Sequence, residues 1–253
     1  MKKILLIEPD KELNELFSNW LKEEDYEVKS IDNLQEVHSS ISKEKFDILL
    51  IDIDYPEITE SSLELCQKLK KNARFSDLPV TILTYKKDVK RIASAIEAGV
   101  DNLVLKPFET DTFLKRIKTI FKEIELKKQG KKVLDLNYIN FLIKLLDEGS
   151  REDFFLLSPV IFNRLVMDKI GDILGEPVIM VMMRRIREFI QDNYAFMKQA
   201  RLQNKKLLMD GVYRASKKVS RKILVFGFQN FIYIFLGLVR VLTSDILIER
   251  EPS

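Results

Sequence analysis

The chain has 253 residues, 46% hydrophobic and 32% charged, with a net charge of +3; that balance suits two globular domains with their own cores and excludes a disordered or low-complexity chain. The single cysteine, Cys66, excludes a disulfide scaffold and fits a reducing cytoplasm, and no secretory leader is expected because charges run throughout residues 1–20. The single histidine, His38, excludes a histidine metal cluster, a Ser-His-Asp triad and a histidine phosphotransfer site in the second half.

From the N-terminus, apolar strand-like runs fall at 3–7, 26–30, 46–51, 79–84 and 101–105. Amphipathic helical patterns separate them at 11–23, 34–42, 61–72, 88–98 and 110–126. Asp10 is the expected N-cap of the first helix, Ser61 or Ser62 that of the third, and Gly99 the left-handed end of the fourth. Alternating strands and helices predict right-handed crossovers and a doubly wound α/β domain with a five-stranded parallel sheet.

In such a sheet the C-terminal strand ends share one edge, where ligands bind. Glu8, Asp52, Thr84 and Lys106 each end a predicted strand. Two carboxylates, a hydroxyl and an ammonium group suit a hard divalent cation and phosphoryl transfer to an Asp oxygen. The same four residues are equally an ion-paired strand edge without chemistry, and spacing alone leaves both readings open.

Five segments carry a resemblance: Ile4-Leu5-Leu6-Ile7-Glu8, Asp47-Ile48-Leu49-Leu50-Ile51-Asp52, Pro79-Val80-Thr81-Ile82-Leu83-Thr84, Glu97-Ala98-Gly99-Val100-Asp101 and Val104-Leu105-Lys106-Pro107-Phe108. In order and spacing, residues 3–122 resemble the receiver domain of two-component response regulators, a flavodoxin-like fold. The resemblance implies Asp52 as phosphoacceptor, Glu8 as an acidic-pocket residue, and Thr84 with Lys106 as the pair that senses the phosphate. It implies Mg²⁺ held by Glu8 and Asp52 with the backbone carbonyl of Asp54, and a histidine kinase or phosphotransfer protein as donor.

Three positions depart from that pattern. Pro9 stands where receivers carry a second acid, so Mg²⁺ is expected to bind weakly unless Asp10 or Asp54 compensates. Tyr85 follows Thr84 where a small residue is usual, and Leu103 replaces an aromatic residue whose rotamer reports phosphorylation. A phosphorylated switch and a phosphorylation-independent pseudo-receiver both follow from these residues.

Residues 123–132 are expected to extend the last receiver helix or form a linker, and 133–253 to form an all-helical output domain of about four helices. Expected helices are one from Leu136 to Gly149, one capped by Ser158 with Pro159 first in the helix, one starting at Glu176-Pro177 and running toward Met209, and a last one over 213–242. Met167, Met180, Met182, Met183 and Met197 read as core filler, with the lining of an adaptable ligand or partner groove as the alternative. Residues 1–122 carry 20 basic and 23 acidic side chains, the remainder 22 and 16. Lys198, Arg201, Lys205, Lys206, Arg214, Lys217, Lys218, Arg221 and Lys222 crowd one stretch, a solvated face or a site for nucleic-acid phosphates or lipid headgroups. The uncharged run Ile223–Val239 is short for a membrane span and is read as a buried helix or homodimer interface. No enzymatic output motif is found. The chain thus reads as a cytoplasmic response regulator whose helical half dimerises or docks a downstream protein; a nucleic-acid-binding regulator and a membrane-surface adaptor are the alternatives.

Overall fold

Alternation along four of the strands sorts the first core into two layers. Leu5, Ile7, Leu49, Ile51, Val80 and Ile82 face one side of the sheet; Ile4, Leu6, Ile48, Leu50, Leu83 and Val104 face the other, and all are buried. The computed structural model describes residues 1–84, 88–130, 132–190, 193–204, 206–242 and 246–249. The chain divides into two units, Met1–Lys87 with Ser94–Ile124, and Asp88–Ala93 with Glu125–Ser253.

In the first unit, β1 (Lys3–Ile7), β2 (Glu27–Ile31), β3 (Ile48–Asp52), β4 (Val80–Thr84) and β5 (Asn102–Leu105) form a parallel sheet in the order β2-β1-β3-β4-β5. This is the flavodoxin-like order. Helices α1 (Lys11–Glu23) and α5 (Thr110–Lys128) contribute to one core layer; α2 (Gln35–Lys43), α3 (Pro56–Lys71) and Ala95 of α4 (Val89–Glu97) contribute to the other. Asp10 caps α1 by accepting from the amides of Glu12 and Leu13. Gly99 adopts φ 93°, which a residue with a Cβ rarely reaches. The third helix begins at Pro56, ahead of the expected Ser61 or Ser62 cap, because the fixed φ of proline suits the first helical turn.

The second unit is helical in the main, but not the all-helical domain of about four helices expected from the sequence. The helices are α6 (Leu136–Glu148), α7 (Arg151–Val160), α8 (Asp168–Ile190), α9 (Asp210–Ala215) and α10 (Arg221–Leu242), with a π-helical segment Ile161–Met167 and a 3₁₀ turn Ala195–Gln199. Two short strand pairs accompany them: β6 (Lys132–Asp135) parallel to β9 (Ile246–Glu249), and β7 (Arg201–Gln203) antiparallel to β8 (Lys206–Leu208). Ser158 does not start a helix. Ser150 does, through a reciprocal capping box with Asp153, and Pro159 lies inside α7 ahead of the π-helical segment.

Gly175, at φ 69° and ψ 155°, breaks α8 and lets Glu176-Pro177 restart it. The restarted helix ends at Ile190 rather than continuing toward Met209, and the β7–β8 hairpin occupies much of the expected helical stretch, with Asn204 at φ 49° in its turn. The last helix starts at Arg221, because Arg151 donates to the carbonyls of Ser216 and Val219 and pins a break between α9 and α10. Met167, Met182, Met183 and Met197 are buried, while Met180 is exposed.

Candidate functional site

The parallel register sets the site. Ile7 pairs Ile51, Asp52 pairs Leu83 and Thr84 pairs Leu105, so Glu8, Asp52, Thr84 and Lys106 come to one carboxyl edge. All four are buried. Lys106 is the hub: its Nζ is in direct contact with Asp52 Oδ2, 3.4 Å from Glu8 Oε2 and 3.9 Å from Asp54 Oδ2. It also lies 5.6 Å from the centre of the Phe17 ring, whose neighbours Phe108 and Phe113 stack at 4.8 Å. Burial pushes the Lys106 ammonium below its ordinary range, while Glu8, by charge and hydrogen bond, and Asp10 by charge work against that shift.

Each carboxylate has its own supports. Glu8 Oε1 accepts from the Tyr55 hydroxyl at 2.9 Å and from the Asp10 amide at 3.0 Å. The side chain of Asn14 donates to the carbonyls of Glu8 and Ile31, which fixes the turn after β1 against the end of β2. Asp52 Oδ1 accepts from the Asp54 amide at 2.8 Å, and Asp54 Oδ1 accepts from the Thr84 hydroxyl at 2.6 Å. The result is a chain of polar contacts from Tyr55 through Glu8, Lys106 and Asp52 to Asp54 and Thr84.

The donor chemistry suits Mg²⁺ in part. Glu8 and Asp52 supply hard carboxylate oxygens at one strand edge. Pro9 supplies no side-chain oxygen, and Asp10 is exposed with its carboxylate on the α1 amides. Among the described residues no three His, Cys, Asp or Glu side chains stand at metal-holding spacing.

Two contacts escape a reading of the sequence. Tyr55 reaches back to Glu8, and the side chain of Asp54, expected only for its carbonyl, receives the Thr84 hydroxyl. An acidic-aromatic pair right after Asp52 is a visible signal, but side-chain direction in a turn is not. Leu103 is buried in β5, and Tyr85 lies outside the described residues.

Residues 4–118 match the family model of the response regulator receiver domain. The chain is 34% identical to the transcriptional regulatory protein CrdR of Helicobacter pylori over 122 residues, 48% of this chain and 56% of that protein. It is 28% identical to the phosphate regulon transcriptional regulatory protein PhoB of Pseudomonas aeruginosa over 121 residues, 48% of this chain and 52% of that one. A putative response regulator from Chloroflexus aurantiacus, of known structure, is 27% identical and covers 47% of this chain and 96% of its own, with a TM-score of 0.43. The matched stretches span only about half the length of these two regulatory proteins.

Proposed function

We propose, from the premise that residues 4–118 are a response regulator receiver domain, that the protein is a cytoplasmic signalling protein phosphorylated on Asp52 by a histidine kinase or phosphotransfer protein. The contact of the Lys106 ammonium with Asp52, flanked by Glu8 and Asp54, carries this reading. A buried carboxylate with a cation at one oxygen and a backbone amide at the other is oriented for attack and shielded from competing water.

In the proposed reaction an Asp52 oxygen attacks phosphorus, a P–O bond forms, the P–N bond to the donor imidazole breaks, and that imidazole leaves and takes up a proton. Mg²⁺, held by Glu8, Asp52 and the Asp54 carbonyl, would neutralise phosphoryl charge. Lys106 would turn from the carboxylate to the phosphoryl oxygens, and Thr84 would exchange its Asp54 partner for them. That exchange is the switch, because phosphate then favours one arrangement of the edge over the other.

The output is read as non-enzymatic, through association of the helical unit. The relatives are named as transcriptional regulators, but the stretch they share with this chain is about half of each, so DNA binding is not carried over from them. A second reading, a phosphorylation-independent pseudo-receiver, draws on Pro9 and on the commitment of Asp10 to capping α1. Incubation with acetyl phosphate and Mg²⁺, followed by intact mass, separates the two. Incorporation in the parent and none in Asp52→Ala supports the switch; none in either across a wide Mg²⁺ range supports the pseudo-receiver.

A further inference from the structure

Helix α10 covers the second core with one side only. Leu224, Phe228, Phe231, Ile232, Phe235 and Val239 are buried, and Phe162 packs against Phe231 and Phe235. The opposite side is open: Ile223 and Phe226 are each 46% exposed, Val241 is 83% exposed, and a Cβ built on Gly237 would meet nothing within 4 Å. At 3.6 residues per turn these positions fall on one side of the helix, exposed toward both ends with the half-buried Asn230, Tyr233 and Ile234 between them. The two amides that interrupt the apolar run have partners inside the unit. Gln229 donates to the Tyr233 hydroxyl, and Asn230 to the Tyr194 hydroxyl and the Phe226 carbonyl.

The charge along this stretch of the chain has one sign. From Gly211 to Leu242 there is no acidic residue, and Arg214, Lys217, Lys218, Lys222 and Arg240 are exposed, while Arg221 turns to the Gly149 carbonyl. Lys222 and Arg240 stand at the two ends of that side of the helix. A second copy meeting this face on a two-fold axis would set Lys222 against Lys222 if the helices ran parallel, or against Arg240 if they ran antiparallel. Like charges would then meet at both ends. Nucleic acid would satisfy the cations but leave Ile223, Phe226 and Val241 in water.

We infer that this face of α10 is a peripheral docking surface for an anionic lipid bilayer. The helix would lie in the plane of the membrane, with Ile223, Phe226 and Val241 in the headgroup–acyl boundary and the basic residues on lipid phosphates. The burial of the opposite side against the bundle is what distinguishes this from a membrane span. The inference stands apart from the proposed phosphorylation of Asp52.

The test is flotation of the full chain with vesicles of phosphatidylglycerol and phosphatidylethanolamine, against vesicles of phosphatidylcholine alone. The expected result is recovery with the anionic vesicles, falling about tenfold or more in Lys222→Glu, which reverses one charge at the surface, and in Val241→Asp. Val241 is so exposed that its substitution leaves the core intact, and circular dichroism of both variants checks the fold. The inference would be overturned by no recovery with either vesicle, equal recovery with both, recovery unchanged in the variants, or a dimer in solution that Val241→Asp dissolves. Salt-sensitive binding of duplex DNA in place of vesicle binding would overturn it in favour of nucleic acid.

Discussion

Tyr55 and Glu8, 47 positions apart in sequence, are joined by a 2.9 Å hydrogen bond from the phenol to Glu8 Oε1. Pro9 leaves Glu8 without an acidic neighbour on its C-terminal side, and Tyr55 with the Asp10 amide fixes the oxygen that Lys106 does not approach. Tyr55→Phe removes one hydrogen bond to a charged group and should cost about 1 to 2 kcal/mol in urea unfolding. A freed Glu8 should also bind Mg²⁺ more weakly, read as a higher Mg²⁺ concentration for half-maximal labelling by acetyl phosphate. Unchanged stability and unchanged Mg²⁺ dependence would remove Tyr55 from the site.

Lys106 is the cation that lets Glu8, Asp52 and Asp54 gather at one buried edge. Lys106→Ala leaves those carboxylates without it and should destabilise the first unit by about 3 kcal/mol. A divalent cation bound by the folded form alone shifts stability by mass action, so added Mg²⁺ should recover part of the loss. Thermal melts with and without Mg²⁺ test both statements, and a variant as stable as the parent in metal-free buffer would contradict the first.

The convergence of Glu8, Asp52, Thr84 and Lys106 is legible in the sequence, for a topological reason. Uninterrupted apolar runs such as Ile48–Ile51 mark buried parallel strands, and parallel strands deliver their C-terminal residues to one edge whatever the loops between them do. Local signals in the second unit were harder to weigh. Ser150-Arg151-Glu152-Asp153 is a capping box, yet Ser158-Pro159 competes with it as a helix start. The hairpin between Arg201 and Leu208 sits in a basic run that reads as helix, and only Asn204 marks its turn. The pairing of β6 with β9 joins residues more than a hundred positions apart, and no periodicity announces that.

Acid should loosen the outer edge of the sheet through Glu44. Its carboxylate takes hydrogen bonds from Lys29 and Lys3, at 2.8 Å each, which hold its pKa at about 2 against an ordinary 4.5. A carboxylate whose pKa is lowered by folding contributes its stability above the unfolded value and loses it as pH falls through the folded one. The contribution is therefore intact above pH 4.5 and disappears toward pH 2. Urea midpoints measured across that window should fall more steeply for the parent than for Glu44→Gln, and parallel curves would refute the assignment.

Cys66 should be silent toward thiol reagents. It is buried among Leu69, Val80 and Ala95, and burial pushes its thiol up to about 12, so almost no thiolate exists near neutrality. Ellman's reagent at pH 8 should label the native chain only at the rate of opening and label it fully in urea. Prompt stoichiometric labelling of the native chain would show that this layer of the core is open.

Two glycines of α10 should respond to alanine in opposite directions. Helix propensity alone favours Ala over Gly by about 1 kcal/mol at either position. At Gly237 a Cβ meets nothing within 4 Å, so Gly237→Ala should keep that gain. At Gly227 a Cβ would lie 2.9 Å from Phe196 Cζ and 3.0 Å from Tyr194 Cδ1, and both rings would have to move. Phe196 is buried, and the Tyr194 hydroxyl accepts from Asn230, so moving them costs packing and a hydrogen bond together. Overpacking of about 1 to 3 kcal/mol should exceed the propensity gain, leaving Gly227→Ala less stable than the parent. Thermal melts of the two variants side by side decide it: equal gains would mean that α10 does not approach the 3₁₀ turn as closely as these rings require.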